Sequence, residues 1–480
     1  MDQHPHHPLR RVRGPVHPHR AFHAPVQNRP SERGLAPPRG FLLDPAPEHR
    51  IQKTAIRTHV VSLRRHGAFS FMQFGGCNPP AQPVATRAPA AIMFEMRKRT
   101  GHHNAGWSLM LRALALCAVC LACAPLRAAA AGGALHIFMS ELALEQVRDP
   151  ELKQLLEKHR DIVLWASWYP DSGYAGGNTY GEYSHWTPFL DGYLDYIRDT
   201  AGAGHKDYGF LVAHLLGAAA HSIQDQAFDH ILLIKTQEMD GHGQELLDFG
   251  LDLVGMADHK RNLLKLSTLV ERNPTKYTPV AHLLRVYDAL NAGFELLDRQ
   301  IPRGQRLLAM AMGGEKIVHA MRHQDIREQS PWAAANYYQA PGGVLHNARI
   351  TAAYWESLWK RLKGDRAGFF VFDVFPYDGG AVLSLNNNTV DADITVFFSR
   401  RYDNATITPD SFTVRDAAGK AVPGSFDWGY NSNMVRFRPA SPWPAAQTFT
   451  VTLTDAIRDI HGNKLPPYSF VVATPPQSAR

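Results

Sequence analysis

Residues 214–252 read HLLGAAAHSIQDQAFDHILLIKTQEMDGHGQELLDFGLD, setting metal-ligand side chains into a run that is otherwise apolar and helical. An apolar helix is a costly place for imidazole and carboxylate unless each finds a partner. His221 and Asp225 stand four apart, so on a helix both project from one face about one turn apart, where one ion takes both. Asp229 or His230, then His242 and Glu245, follow. Imidazole with carboxylate suits zinc better than calcium or magnesium, which prefer oxygen alone, and no cysteine lies nearby to suggest a finger-type site. The stretch therefore predicts a helical domain with a catalytic zinc site that keeps open coordination positions.

Two upstream segments strengthen the reading. His136 in ALHIFMSELAL, Asp171 in WASWYPDSGY and His185 in EYSHWTPFLDGY are polar residues set among aromatics and turn formers. Several such groups in one domain satisfy one another through shared cations. His214, seven residues before His221, returns to the same helical face and is expected to pack behind the metals. His205, His259, His319 and His346 read as ordinary surface or core histidines. Trp165, Trp168, Tyr169 and Trp186 read as core, or as the lining of a lipid or base pocket.

These residues resemble the zinc-dependent phospholipase C family, which includes the amino-terminal domain of glycosylphosphatidylinositol-specific phospholipase D. The matching pieces are HI at His136, YPDxGY around Asp171, HWTPFL from His185, HxxxD from His221, and DxHG leading to DFGxD across Asp240 to Asp252. The resemblance covers about residues 131–360 and implies an all-helical domain holding up to three zinc ions; single-strand-cleaving nucleases share that architecture. It implies one zinc held by Asp171, His185, His221 and Asp225. A second would use His136, Asp225 and the amino terminus of the mature chain, and a third His242, Glu245 and either His230 or Asp229. His230 is preferred for its ligand chemistry, although on a continuous helix Asp229 stays nearer the face of His221 and Asp225. Asp248 and Asp252 are alternatives to Glu245, or plain surface acids.

The two ends of the chain read differently from this middle. From Met96 a basic segment, an apolar run and a small-residue Ala stretch predict a signal peptide over 96–131, with cleavage after Ala130 or Ala131. Residues 1–95 are rich in Pro, His and Arg, lack hydrophobic periodicity, and are expected to be disordered and to come from translation upstream of the true start. The first 130 residues hold 18 Lys and Arg against 5 Asp and Glu, which leaves 33 against 39 and a net charge near −6 in the remainder. No basic stripe is left for nucleic acid. All four cysteines, Cys77, Cys117, Cys120 and Cys123, precede the expected cut, so the exported chain would hold no disulfide, and Cys123 is a poor fit to a lipoprotein anchor. Secretion or export to the periplasm is the expectation.

After Gly364 the texture changes to alternating β-formers and turns, in ADITVFFSR, SNMVRFRPAS, QTFTVTLTD and PYSFVVAT. This predicts a strand-rich sandwich over 375–475 that resembles the bacterial Ig-like module in FSRRYDNATITPDSFTVRDAAGKAVPGS, FRPASPWPA and AIRDIHGNKL. Asp455, Asp459 and Asn463 are expected to form a turn there. The sequence thus predicts an all-α domain over 132–364 of zinc-dependent phospholipase C or nuclease type, followed by an all-β Ig-like domain. The expected activity is zinc-dependent hydrolysis of phospholipids between glycerol and phosphate, with Asp171 orienting or deprotonating the attacking water. The alternatives are a single-strand nuclease and a non-catalytic surface-binding protein stabilised by zinc. Expected partners are phospholipid or a membrane surface, with cell-surface contact through the Ig-like domain.

Overall fold

The structure, a computed structural model, describes residues 132–259 and 276–476, apart from 366–367, 378, 382–383, 387–388 and 429–431. The expectations for residues 1–95, the signal peptide and the four cysteines fall outside the described residues. Thirteen α-helices among the described residues are numbered in chain order. They are α1 (Gly133–Gln146), α2 (Pro150–Lys158), α3 (Arg160–Ala166), α4 (Asp171–Ala175), α5 (Tyr180–Ser184), α6 (Thr187–Tyr196) and α7 (Tyr208–Ala227). Then come α8 (Ile234–Asp240), α9 (Gln244–Asp258), α10 (Val280–Ala289), α11 (Gln300–Gln329), α12 (Pro331–Asn336) and α13 (Val344–Leu362).

Helix α7 is the axis of this helical region, and its sequence dictates that place. Every residue from Leu211 to Ala227 is buried, the expected fate of a helix that is apolar all round. Helices α1, α3 and α13 pack on it. Gly217 permits the closest approach: the Val163 carbonyl and the Ala166 side chain stand where a Cβ at 217 would be, so any other residue would push α3 away. From the far side Trp355 of α13 donates its indole N–H to the Leu216 carbonyl at 2.6 Å.

Beyond Ala227 the chain stays helical but widens into π-helical turns over Phe228–Leu233 before α8 resumes. Such turns add a residue per bond and re-phase the faces. Helix α8 ends on Gly241 in the left-handed region, φ 75°, where glycine carries no Cβ penalty. Asp240, part of the DxHG piece, accepts from the N–H groups of Trp332 and Ala333 at 3.1 and 2.9 Å and so caps α12.

The carboxy-terminal region is a β-sandwich. Its strands are β1 (Val371–Phe375), β2 (Gly380–Ala381), β3 (Ile394–Phe398), β4 (Phe412–Asp416), β5 (Gly424–Trp428), β6 (Met434–Pro439), β7 (Thr448–Leu453) and β8 (Tyr468–Ala473). They form two four-stranded sheets, ordered β1-β3-β6-β5 and β2-β8-β7-β4. All pairs are antiparallel except β2 with β8. Val396, Phe398, Val414, Val435, Phe437, Val451, Phe470 and Val472 fill the space between the sheets. Asp459 shapes a turn by accepting from the N–H groups of His461 and Asn463 at 2.9 and 2.8 Å, and Asp455 pairs with Lys464.

Helical and β regions share apolar packing: Phe397 and Met434 belong to the helical core cluster. Polar contacts reinforce the seam. Ser432 donates its hydroxyl to Gln226 Oε1 at 2.7 Å, Arg436 Nη1 donates to the His230 carbonyl at 2.7 Å, and Lys235 pairs with Asp391 at 2.6 Å. Buried Arg361 bonds Asp191 at 2.5 Å and the Ser399 carbonyl at 3.3 Å. Among the described residues no helix is long and apolar enough to cross a membrane.

Candidate metal centre

Five of the polar residues singled out in the sequence meet at one point beside α7. His136 comes from α1, Asp171 opens α4, His185 closes α5, and His221 and Asp225 lie one turn apart on α7. The Asp225 carboxylate is the hub: Oδ1 is 3.1 Å from His136 Nε2, and Oδ2 is 3.2 Å from His221 Nε2 and 3.8 Å from His185 Nε2. Asp171 Oδ1 lies 3.4 Å from His185 Nε2 and 3.6 Å from His221 Nε2. In each of the sets His136, Asp171, His221 and His185, His221, Asp225, the donor atoms lie within 4.8 Å of one another.

The outward nitrogens fix the state of the three rings. His221 Nδ1 faces the Ser167 carbonyl at 2.9 Å and His185 Nδ1 the Gly181 carbonyl at 2.6 Å; a carbonyl only accepts, so each Nδ1 carries the proton. His136 Nδ1 lies 2.7 Å from Gln224 Oε1, and Gln224 donates its Nε2 to Ser140 Oγ and Thr351 Oγ1. All three Nε2 atoms therefore point inward, the orientation of a metal-binding imidazole. Two of them face each other, His221 Nε2 to His185 Nε2 at 2.9 Å, which neutral rings in this tautomer tolerate only with a cation or proton shared between them.

The residues fit a metal ion by what they leave unsatisfied. His136 Nε2, Asp171 Oδ1, both Asp225 oxygens and Asp229 Oδ1 are enclosed without hydrogen bonds among the described residues. The distances around Asp225 are short, but the angles are not those of hydrogen bonds. Native interiors rarely leave so many acceptors unpaired in one place. Burial raises the Asp225 and Asp229 carboxyls above their ordinary range, Asp229 strongly and with the Asp225 charge adding to it. Burial pulls His136 down, but Asp225 and Asp171 outweigh it and hold the ring at about 9. Burial, then its two histidine neighbours, push His221 well below the ordinary imidazole value. A divalent cation supplies the positive charge that these carboxylates lack and takes the lone pairs that His221 cannot protonate.

The ligands expected for a third ion are not gathered in the same way. The π-helical turns bring Asp229 close enough to Asp225, His136, His185 and Asp171 for their charges to act on it. His230 turns back instead, with Nδ1 3.1 Å from the Gln226 carbonyl and Arg436 beside it. Glu245 is exposed and accepts from the Gly243 N–H at 3.3 Å, while His242 is half-buried in the loop before α9. Neither belongs to a metal-type cluster among the described residues. Asp252 of α9 is buried and accepts from the N–H groups of Ala134 and Leu135 at 2.7 and 2.9 Å, which ties α9 to the start of α1 beside Gly132. Burial lifts it to about 7, against the pull of those two N–H groups. His214 packs edge-on to Tyr169 and Tyr193. Gln224 carries no ligand signature in the sequence; its one sign there is an amide in an apolar helix, three residues past His221.

Comparison with known proteins finds two likenesses. The profile of the bacterial Ig-like domain matches residues 365–473. Residues 365–473 form a bacterial Ig-like domain. About half of the chain is similar to phosphatidylinositol-glycan-specific phospholipase D. The Mus musculus protein is 28% identical over 255 residues, which cover 49% of this chain and 29% of that protein. The Homo sapiens protein is 25% identical over 252 residues, covering 48% and 29%. The chain thus spans under a third of the length of these relatives. Among solved structures, CopC from Methylosinus trichosporium OB3b superimposes with a TM-score of 0.19 at 13% identity, covering 23% of this chain and 98% of that one. The N-terminal part of the bacterial S-layer protein SbsC gives 0.19 at 10%, covering 59% and 67%. At that level of superposition neither adds to the fold described above.

Proposed function

We propose that the helical region, residues 132–364, is a zinc-dependent phosphodiester hydrolase of an exported protein, cleaving phospholipids between glycerol and phosphate. The observation that carries the reading is the convergence of three inward Nε2 atoms, from His136, His185 and His221, on the carboxylates of Asp171 and Asp225. The similarity to phosphatidylinositol-glycan-specific phospholipase D supports a phospholipid as substrate. Zinc, when bound, polarises phosphoryl oxygens and lowers the pKa of a water toward neutrality. Mixed nitrogen and oxygen donors without sulfur suit that metal. His136, His185, His221 and Asp225 would hold it, with Asp229 added from the π-helical turns.

The chain's own residues do the rest. Of the five converging residues Asp171 has the most accessible side chain, 12% against 8% or less for the other four, so water reaches it most readily among them. Its carboxylate, at the edge of the cluster, is placed to accept a proton from an attacking water. The Ser167 and Gly181 carbonyls and the Gln224 amide keep the imidazoles oriented. The net-acidic mature chain and the aromatic rings beside His185 favour a zwitterionic head group over a polyanion.

The test joins metal analysis of the purified protein to hydrolysis of phosphatidylcholine, a soluble phosphocholine ester and single-stranded DNA, with identification of products. Diacylglycerol with a phosphorylated head group is the expected outcome, at a rate at least roughly tenfold above that on DNA. Phosphatidic acid as product would move the cleavage to the other side of the phosphorus. Preference for DNA would make the protein a nuclease, and metal with neither activity a binding protein.

A further inference from the structure

Helix α11 is apolar on two opposite sides. Ile301, Ala309, Met312 and Ile326 face the core. On the other side Leu307, Met310, Ile317 and Met321 are exposed, at 38, 66, 60 and 64%. At ~100° per residue these four fall within about 80° of arc, and at ~1.5 Å per residue they run for about 21 Å. Single exposed apolar residues need no explanation, but an aligned row of four does. The helix carries Arg303, Arg306, Lys316, Arg322 and Arg327 against Glu315, Asp325 and Glu328, and at the amino-terminal end of the row the charges are both basic, Arg303 and Arg306. Arg322 pairs with Asp325, whereas Arg303 and Arg306 are exposed at the amino-terminal end of the row and make no ion pair among the described residues.

We infer that this face of α11 is a docking surface for a lipid bilayer containing anionic phospholipid. The choice of a lipid rests on the reading proposed above. Leucine, isoleucine and methionine on a helix lying in the interface plane bury their side chains among acyl chains, while guanidinium groups meet phosphate at head-group level. The two unpaired arginines complement an anionic surface, and the same helix is tied to the metal centre. Ser172, next to Asp171, presses its carbonyl against Gly304, one turn before Leu307, so closely that a Cβ there would collide with it. Helix α11 also packs along α9, which carries Asp252. Docking by this face therefore fixes the position of Asp171 relative to the bilayer.

Vesicle flotation with the full protein tests the inference, using phosphatidylcholine vesicles with and without phosphatidylglycerol. The triple variant Met310→Gln, Ile317→Gln, Met321→Gln should bind both kinds of vesicle at least about tenfold more weakly. The double variant Arg303→Gln, Arg306→Gln should lose the preference for phosphatidylglycerol. Both should keep the wild-type helical signal and the wild-type rate on a soluble phosphocholine ester. Unaltered flotation of the triple variant would overturn the inference, as would a wild-type dimer that the triple variant dissociates, because the row would then cover a second copy of the chain. Vesicle binding does not depend on turnover. Row-dependent flotation in a protein that hydrolyses no ester would refute the hydrolase reading and leave the docking surface standing.

Discussion

Replacing Gln224 by leucine separates holding a metal-binding ring in place from binding the metal. Gln224 joins three helices: it accepts from His136 Nδ1 on α1, donates to Ser140 on α1, and donates to Thr351 on α13. Gln224→Leu leaves the buried His136 N–H without an acceptor, at a cost of about 1–3 kcal/mol. Ser140 and Thr351 lose an incoming donor but keep their own O–H groups, so their share is smaller. Partners that orient metal-binding imidazoles are typically worth about 10–100-fold in metal affinity, or roughly 1.4–2.7 kcal/mol. Gln224→Glu keeps the acceptor for His136, and both hydroxyls rotate to donate to the new carboxylate. It should bind zinc at least as tightly as the wild type while its metal-free form is less stable, because the buried charge then lacks a cation. Competition against a chromophoric chelator gives the affinities, and thermal unfolding with and without zinc gives the stabilities. Wild-type zinc affinity in Gln224→Leu, or equal losses in both variants, would refute the idea that the amide acts by orienting His136.

Other outcomes follow from the same geometry. His221→Ala and Asp225→Asn should each lower bound zinc as well as hydrolysis, since Asp225 faces all three imidazoles; unchanged stoichiometry in both variants would remove them from the ligand set. A peptide extension left before Gly132 should weaken zinc binding near His136, because Gly132 already packs against Asp252 and Asp248; equal zinc content and turnover in extended and processed protein would count against it. Acid should destabilise the fold through His214 and His346, both held neutral by burial at about 3. A depressed imidazole contributes stability that is complete above pH ~6.5 and declines by up to about 1.4 kcal/mol per unit and per group as the pH falls toward 3. Denaturant titrations at a series of pH values on wild type and His214→Asn should show a shallower decline in the variant; parallel declines would exclude His214.

What the sequence reveals and what it conceals can be followed residue by residue. The i, i+4 spacing of His221 and Asp225 translates directly into one face of α7, because helical geometry is local. The change from helix-period to strand-period patterning after Gly364 is equally local, and it coincides with the start of the bacterial Ig-like domain. The choice between Asp229 and His230 is not local. It depends on whether the chain widens into π-helical turns after Ala227, and no composition signal marks that. The work of Gln224, and of Asp252 at the start of α1, depends on which helices come to lie beside them. Exposure on α11 is hidden in the same way, since Met310 and Met312 look alike in a sequence and only the packed structure separates solvent from core.

The contacts of Gln226 and His230 with the β-sandwich bear on the order in which the protein matures. Gln226 follows Asp225 directly, and its side-chain oxygen accepts from Ser432, 206 residues later. His230 lends its carbonyl to Arg436, also 206 residues later. The segment between them carries Asp229. During synthesis the helices that surround the cluster emerge first, and for some two hundred residues the turns bearing Asp229 lack the strand that will hold them. A polypeptide ending at Gly364 would leave Gln226 and the His230 carbonyl open to water and lose Phe397 and Met434 from the helical core. The final clamp on the turns that carry Asp229 closes only when β6 is in place, so the last quarter of the chain sets when that segment is held.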